Sequence, residues 1–266
     1  MKVLAIGASR NIGYHASLEL LKAGNTVIFQ LRNVSAFDDD AEMQPFIKSG
    51  QAKLIKGDAL VQDDARTTWT EANADGVPVE VVLLTVGGAA KFTLTKGFVI
   101  NPPNLCTSAL LNILTVIPHD VATQPKIVAV TSNGVKADSH KSIPFLAKGF
   151  YALISVPHAD KLGMERVFHW SAGWPEEEWK EGDPEAHILP QGWEETLGGK
   201  PGWLKSFVVV RPAILTDGEQ TDKYKVGEDI PGLWTVSRKD VGHFIASDVL
   251  KDWSKWEGKA VSVGYT

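Results

Sequence analysis

What most constrains this chain is an alternation. Short runs rich in Val, Ile and Leu take turns with longer stretches whose apolar residues recur at helical spacing. The strand-like runs are "VLAI" (3–6), "TVIFQL" (26–31), "AKLIKG" (52–57), "VEVVLLTV" (79–86), "KIVAVTS" (126–132), "SFVVVRP" (206–212) and "KAVSV" (259–263). Helical patterns fall at 12–23, 63–74, 104–117, 160–169 and 238–250, the first stopped by Gly24 and Asn25. The run at 79–86 is apolar almost throughout, as expected of a strand covered on both faces. The expected fold is α/β: a Rossmann-type, doubly wound parallel sheet with helices on both faces, built as one domain over 1–266. Ligands of such sheets sit beyond the carboxyl ends of the strands, where strand order reverses.

One stretch breaks the rhythm. Residues 170–203 form a connection longer than is usual in a compact domain and hold five of the nine tryptophans. Lying between a helix and the sixth strand, this insertion is expected over the carboxyl ends of the strands, as a wall or lid of an apolar substrate pocket. Its acidic residues form a solvated face.

Bulk properties exclude several classes. A formal net charge of −5 gives no footprint for nucleic acid or an anionic membrane. No run approaches the ~20 apolar residues needed to span a bilayer. The opening "MKVLAIGASR" is too short in apolar residues for a signal peptide. Cys106 is the single cysteine, so no intrachain disulfide forms, which fits a cytoplasmic protein. The seven histidines are scattered without metal-ligand spacing, and no Gly-x-Ser-x-Gly elbow marks a hydrolase. The expected partner is a small-molecule substrate, and the chain is a monomer or homodimer.

Chemistry enters at "GASRNIG" (7–13), where the first strand turns into the first helix. Gly7 and Gly13 bracket Ser9, Arg10, Asn11 and Ile12. A dinucleotide site needs glycine here, so that backbone and helix N–H groups can approach a pyrophosphate. The usual middle glycine would fall near Arg10 or Asn11. The second strand ends in "FQLRN", with Gln30 and Arg32 where an NAD site places a carboxylate. An arginine fork suits a 2′-phosphate. Arg10 and Arg32 without an acid favour NADP(H) as cofactor.

These pieces resemble an atypical short-chain dehydrogenase/reductase of the NmrA-like branch. The resemblance rests on "GASRNIG", "LRN", "KGDAL", "TVGG", "VTSNGV", "DKLGMERV", "VVRPAILTDG" and "VSRKDVGHFI", in that order along most of the chain. It implies an extended NADP site, with Asp58 and Ala59 near the adenine and Thr85, Val86 and Gly87 near the nicotinamide ribose.

Ordinary reductases of the family use a Tyr four residues before a Lys, with a Ser at the preceding strand end. Ser132 and Lys161 match the Ser and Lys, but Pro157 stands at the Tyr position. The proton must come from elsewhere. His158 lies three residues before Lys161, Tyr151 lies on the preceding segment, and water is a third source. The residues thus point to an NADPH-dependent reductase of a small apolar compound, aromatic or of enone or quinone type. A non-catalytic NADP(H)-binding sensor, or an isomerase using bound cofactor, remains the alternative.

Overall fold

The computed structural model describes residues 1–88, 91–93, 97–135, 155–228 and 230–266. Seven parallel strands carry the sheet: β1 (Lys2–Ile6), β2 (Thr26–Leu31), β3 (Ala52–Lys56), β4 (Val81–Leu84), β5 (Lys126–Val130), β6 (Phe207–Pro212) and β8 (Lys259–Gly264). An eighth, β7 (Lys225–Gly227), pairs antiparallel with β8 at the edge. The order is β7-β8-β6-β5-β4-β1-β2-β3. Sequence order therefore reverses between β1 and β4, which places the switch point at their carboxyl ends. The edge strand is only three residues long, too short for a periodic signal.

Helices α1 (Asn11–Lys22), α2 (Gln62–Ala72), α3 (Leu105–Leu114), α4 (Ser155–Ala172) and α5 (Arg238–His243) cover the sheet. α5 runs on as a π-helix over Phe244–Val249. Alternation along β1 shows why both faces are closed. Val3 and Ala5 point into a core with residues of α1 and α5, while Leu4 and Ile6 point into a second core with α3 and α4. A strand that is apolar at every position can lie only between two helical layers. α1 stops where Asn25 N–H bonds Leu20 O and Gly24 N–H bonds Leu21 O, the paired bonds of a Schellman end.

The tryptophan-rich stretch corrects an expectation. Trp174 packs 5.6 Å, centroid to centroid, from Phe207, the first residue of β6. Trp203 stacks on His119 at 3.8 Å, and its carbonyl accepts from Gln124, two residues before β5. Trp170 and Trp193 meet edge to face within the core of α3 and α4. Trp174 and Trp203 thus pack at the amino ends of the strands, while Ile188 reaches back along α4 to Gly163 and Thr107. Residues 183–194 line a recess of their own, and none of residues 170–203 lines the cavity at the switch point. The reason is topological. A helix that follows a parallel strand returns to the amino end of the sheet, so whatever follows α4 starts there.

Candidate active site

A cavity of about 380 Å³ opens at the carboxyl ends of β1 to β5. Its floor is the β1–α1 turn. Gly7 takes φ +77°, and a Cβ there would lie 2.6 Å from the backbone of Val86. A Cβ on Gly13 would strike Thr85 Oγ1 and come within 2.7 Å of Ala8. The two glycines thus let the turn close on β4, and neither tolerates a side chain. Asn11 has φ +58°. Asparagine is among the few residues that reach this region readily, and it stands where the motif lacks its middle glycine.

α1 begins without a side-chain cap. Its first-turn N–H groups are left for a ligand, at the end where the helix carries about half a positive charge. Arg10 and Arg32 are exposed on the rim and have no carboxylate partner among the described residues. Gln30, near the end of β2, lines the same cavity beside Gly57. It is 4% exposed, and neither its amide nitrogen nor its oxygen has a partner among the described residues. A buried amide with both ends unsatisfied is costly, on the order of 1–3 kcal/mol per group, and its place on a cavity wall marks a ligand contact. Asp58 and Ala59 line the same wall. The Asp58 carboxylate accepts from Leu60 N–H at 3.0 Å, and Ala59 O accepts from Asn112 at 2.9 Å. Thr85, Val86 and Gly87 line the opposite part with Ser9 and Ile12.

Lys161 closes the inner end. Its Nζ donates to Val130 O at 2.9 Å and Val86 O at 3.3 Å. Cys106 Sγ also donates to Val86 O, and burial pushes its thiol pKa up to about 12, so it stays a donor. α4 is held in place by two buried carboxylates. Asp160 accepts from the N–H groups of Cys106 and Thr107, both at 2.8 Å, and so caps α3 from outside. Glu165 accepts from Arg211 at 2.6 and 2.9 Å and from Thr131 Oγ1 at 2.7 Å. That bidentate pair ties α4 to β6 and to Thr131, which lines the cavity beside Lys161.

Ser132 follows Thr131 just outside the lining. Its Oγ lies 3.4 Å from His158 Nε2. α4 starts at Ser155, earlier than the sequence pattern indicates, so His158 and Lys161 share its first turns. Tyr151 lies outside the described residues. Arg238, Leu215, Thr131 and Leu105 line the cavity without having been singled out from the sequence. Arg238 carried one legible signal. It is a cation at the first position of a helix, where the macrodipole disfavours it.

The donor set suits a phosphorylated dinucleotide. It offers an uncapped helix N-terminus, a floor that closes on β4 at glycines, guanidiniums unpaired among the described residues and an orphaned amide. No family model matches the chain. Reductase pytE of Aspergillus terreus is 28% identical over 226 residues, covering 80% of this chain and 77% of its own length. Oxidase pynE of Aspergillus niger is 23% identical over 270 residues, covering 90% and 85%. The solved structures that share the fold include a short-chain dehydrogenase/reductase. Among solved structures, 99% of the chain superposes on 94% of a wide-type short-chain dehydrogenase/reductase of Veillonella parvula in complex with NADP, with TM-score 0.56 and 14% identity. Another 99% match covers 97% of the anaerobillin reductase ChuY of Escherichia coli O157:H7, with TM-score 0.58 and 15% identity. At such identities the structures speak for the Rossmann-type fold alone, and the names of the two relatives, a reductase and an oxidase, support an oxidoreductase. No helix among the described residues is long and apolar enough to cross a membrane.

Proposed function

We propose that the protein is an NADPH-dependent reductase of a small apolar carbonyl compound, aromatic or of enone or quinone type. The observation that carries this reading is the cavity itself. It joins an uncapped α1, Arg10 and Arg32 at one end to Lys161 at the other. The cofactor at the Veillonella neighbour's site and the name of the Aspergillus terreus relative support it.

Gly7, Ser9, Asn11, Ile12 and Gly13 would hold the pyrophosphate against the α1 N-terminus. Arg32 and Arg10 would grip the 2′-phosphate, Asp58 and Ala59 the adenosine, and Thr85, Val86 and Gly87 the nicotinamide ribose. The reduced nicotinamide supplies a hydride when bound. Lys161, fixed by two carbonyls, orients the ribose hydroxyls at the inner end. Ser132 Oγ donates a proton to the substrate oxygen as negative charge develops there. His158 Nε2 replaces that proton, because histidine is the side chain that ordinarily titrates nearest neutrality. This pair stands in for the tyrosine that Pro157 displaces.

Pro157 also favours a second reading, a cofactor-binding sensor that has lost turnover. One experiment separates them. The protein is titrated with NADPH, NADP+, NADH and NAD+ by tryptophan fluorescence, then assayed for NADPH oxidation with quinones, enones and aldehydes. The reductase reading expects phosphorylated forms to bind at least about tenfold tighter, equivalent to 1.4 kcal/mol, and multiple turnovers with one substrate class. Binding without turnover on any acceptor supports the sensor. No binding of any dinucleotide sinks both.

A further inference from the structure

Arg238 lies on the wall of the cavity, at the first position of α5. Its level in the fold follows from how α5 packs. A Cβ on Gly242 would lie 2.7 Å from His15 Cβ and 2.8 Å from Ala16 N. Farther along, Ser247 Oγ donates to the Glu19 carboxylate at 3.1 Å. The two helices therefore run parallel in register. One turn back from both contacts, Arg238 stands beside Asn11 and Ile12, the uncapped first turn of α1. The start of α5 is rigid, because Asp240 is fully buried and accepts from Ser237, Thr221 and Tyr265.

The guanidinium itself is held lightly. It pairs with Asp217 at 2.6 Å, but that carboxylate is 88% exposed. Exposed pairs contribute about 0–1 kcal/mol, so exchange for a better anion costs little. The charges at the cavity ask for such an exchange. A pyrophosphate brings two negative charges to the α1 N-terminus, which offers roughly +0.5. Arg32, at the end of β2, is placed for the ribose side.

We propose that Arg238 is a phosphate latch. It rests on Asp217 in the free protein and turns onto the pyrophosphate of a bound nicotinamide dinucleotide, closing the cavity from the α5 side. The latch rests on the dinucleotide reading above and adds a group that reads the pyrophosphate, common to NADH and NADPH, where Arg32 reads the 2′-phosphate.

The test is fluorescence titration of the full chain with NADPH and with NADH, for the wild type, Arg238→Gln, Asp217→Asn and Arg32→Gln. Losing one charge-assisted contact, Arg238→Gln weakens both nucleotides by a similar factor of about ten. Asp217→Asn frees the guanidinium and tightens both by about two- to fivefold. Arg32→Gln weakens NADPH alone. The latch is overturned if Arg238→Gln spares both nucleotides, or weakens only NADPH, which would make Arg238 a 2′-phosphate ligand. Thermal melting checks that Arg238→Gln folds. If it does not, Asp217→Asn decides, and unchanged or weaker binding by that variant overturns the latch. Wild-type protein that binds neither nucleotide would remove the dinucleotide reading and the latch together. Wild-type binding matched by Arg238→Gln would remove the latch alone.

Discussion

The two ends of the sheet use polar groups in opposite ways. At the amino ends, residues 170–203 bury tryptophans against β6 and α3, and charges there find partners. Arg166, for example, holds Glu176 at 2.7 Å and Asp183 at 3.1 Å. At the carboxyl ends, α1 is uncapped, and among the described residues Arg10 and Arg32 have no ion-pair partner and the buried Gln30 amide has no hydrogen-bond partner. Folding stability alone would select against all three. Atoms orphaned among the described residues occur at the amino end too, at Ser171 Oγ and Trp203 Nε1, but those are shut into the core, whereas Gln30 lines a cavity that a ligand can enter. The contrast makes a sharp claim: changes at the amino end should cost stability and spare binding, and changes at the carboxyl end should do the reverse.

The largest effect is expected at the amino end. Trp203→Ala removes a stacked ring that is 9% exposed. Truncations of this size cost roughly 3–5 kcal/mol, visible as a fall in the denaturant midpoint. NADPH affinity should hold within twofold. A collapse of affinity in folded protein would return the tryptophan stretch to the binding site and break the contrast.

Next comes Lys161→Ala. Turnover should fall by about 100-fold, or ~2.7 kcal/mol of barrier, with melting shifted only slightly. Unchanged turnover would remove Lys161 from the machinery.

Asp240 crosses the divide, since it serves stability at the carboxyl end. Burial alone would raise its pKa. Bonds from Tyr265, Thr221 and Asp222 outweigh that and hold it below its ordinary value. A depressed carboxylate stabilises the fold above the unfolded pKa and loses that contribution as pH falls through the folded one. Asp240→Asn should therefore cost about 2 kcal/mol at pH 7. The gap from wild type should narrow as pH drops below 3.8, the ordinary aspartate value. Melts at pH 7 and pH 3 check this, and a gap that widens in acid contradicts the assignment.

Arg32→Gln is a smaller change. NADPH should bind about tenfold more weakly, ~1.4 kcal/mol, with NADH unaffected and stability within about 0.5 kcal/mol, as for other surface substitutions. Equal losses for both nucleotides would move Arg32 away from the 2′-phosphate.

Much of this was legible in the sequence, and the reason is local. The β1–α1 turn, the ends of β2 and β3, and the "TVGG" after β4 each sit where a short motif ends a strand, so their places in the cavity follow from order alone. Asn11 shows the limit of motif matching, because backbone conformation, and not residue identity, is what the turn requires. The insertion's composition suggested a pocket wall, while handedness and direction decide where a connection starts, and its Trp174 and Trp203 pack at the amino ends. Arg238 and the Glu165–Arg211 pair come from elements far apart in sequence, and only the packing of α5 on α1 and of α4 on β6 brings them to the site.

Gln30 gives the finest test, since one side chain should move stability and binding in opposite directions. Gln30→Met keeps the length of the side chain and removes both unsatisfied atoms. If no protein group satisfies that amide, the free protein should become more stable by about 1 kcal/mol, because replacing an unpaired buried polar group with an apolar one relieves its desolvation. That corresponds to a rise in Tm of roughly 2–4 °C, by the scaling for somewhat smaller domains. The same change should weaken NADPH several-fold, because the bound adenosine side loses its polar contact. Tm measured with and without saturating NADPH reads both terms in one experiment. The variant should start higher and gain less from the nucleotide. A variant that starts lower would show that Gln30 is satisfied in the free protein, and the case for a ligand at that wall would then rest on the arginines and α1 alone.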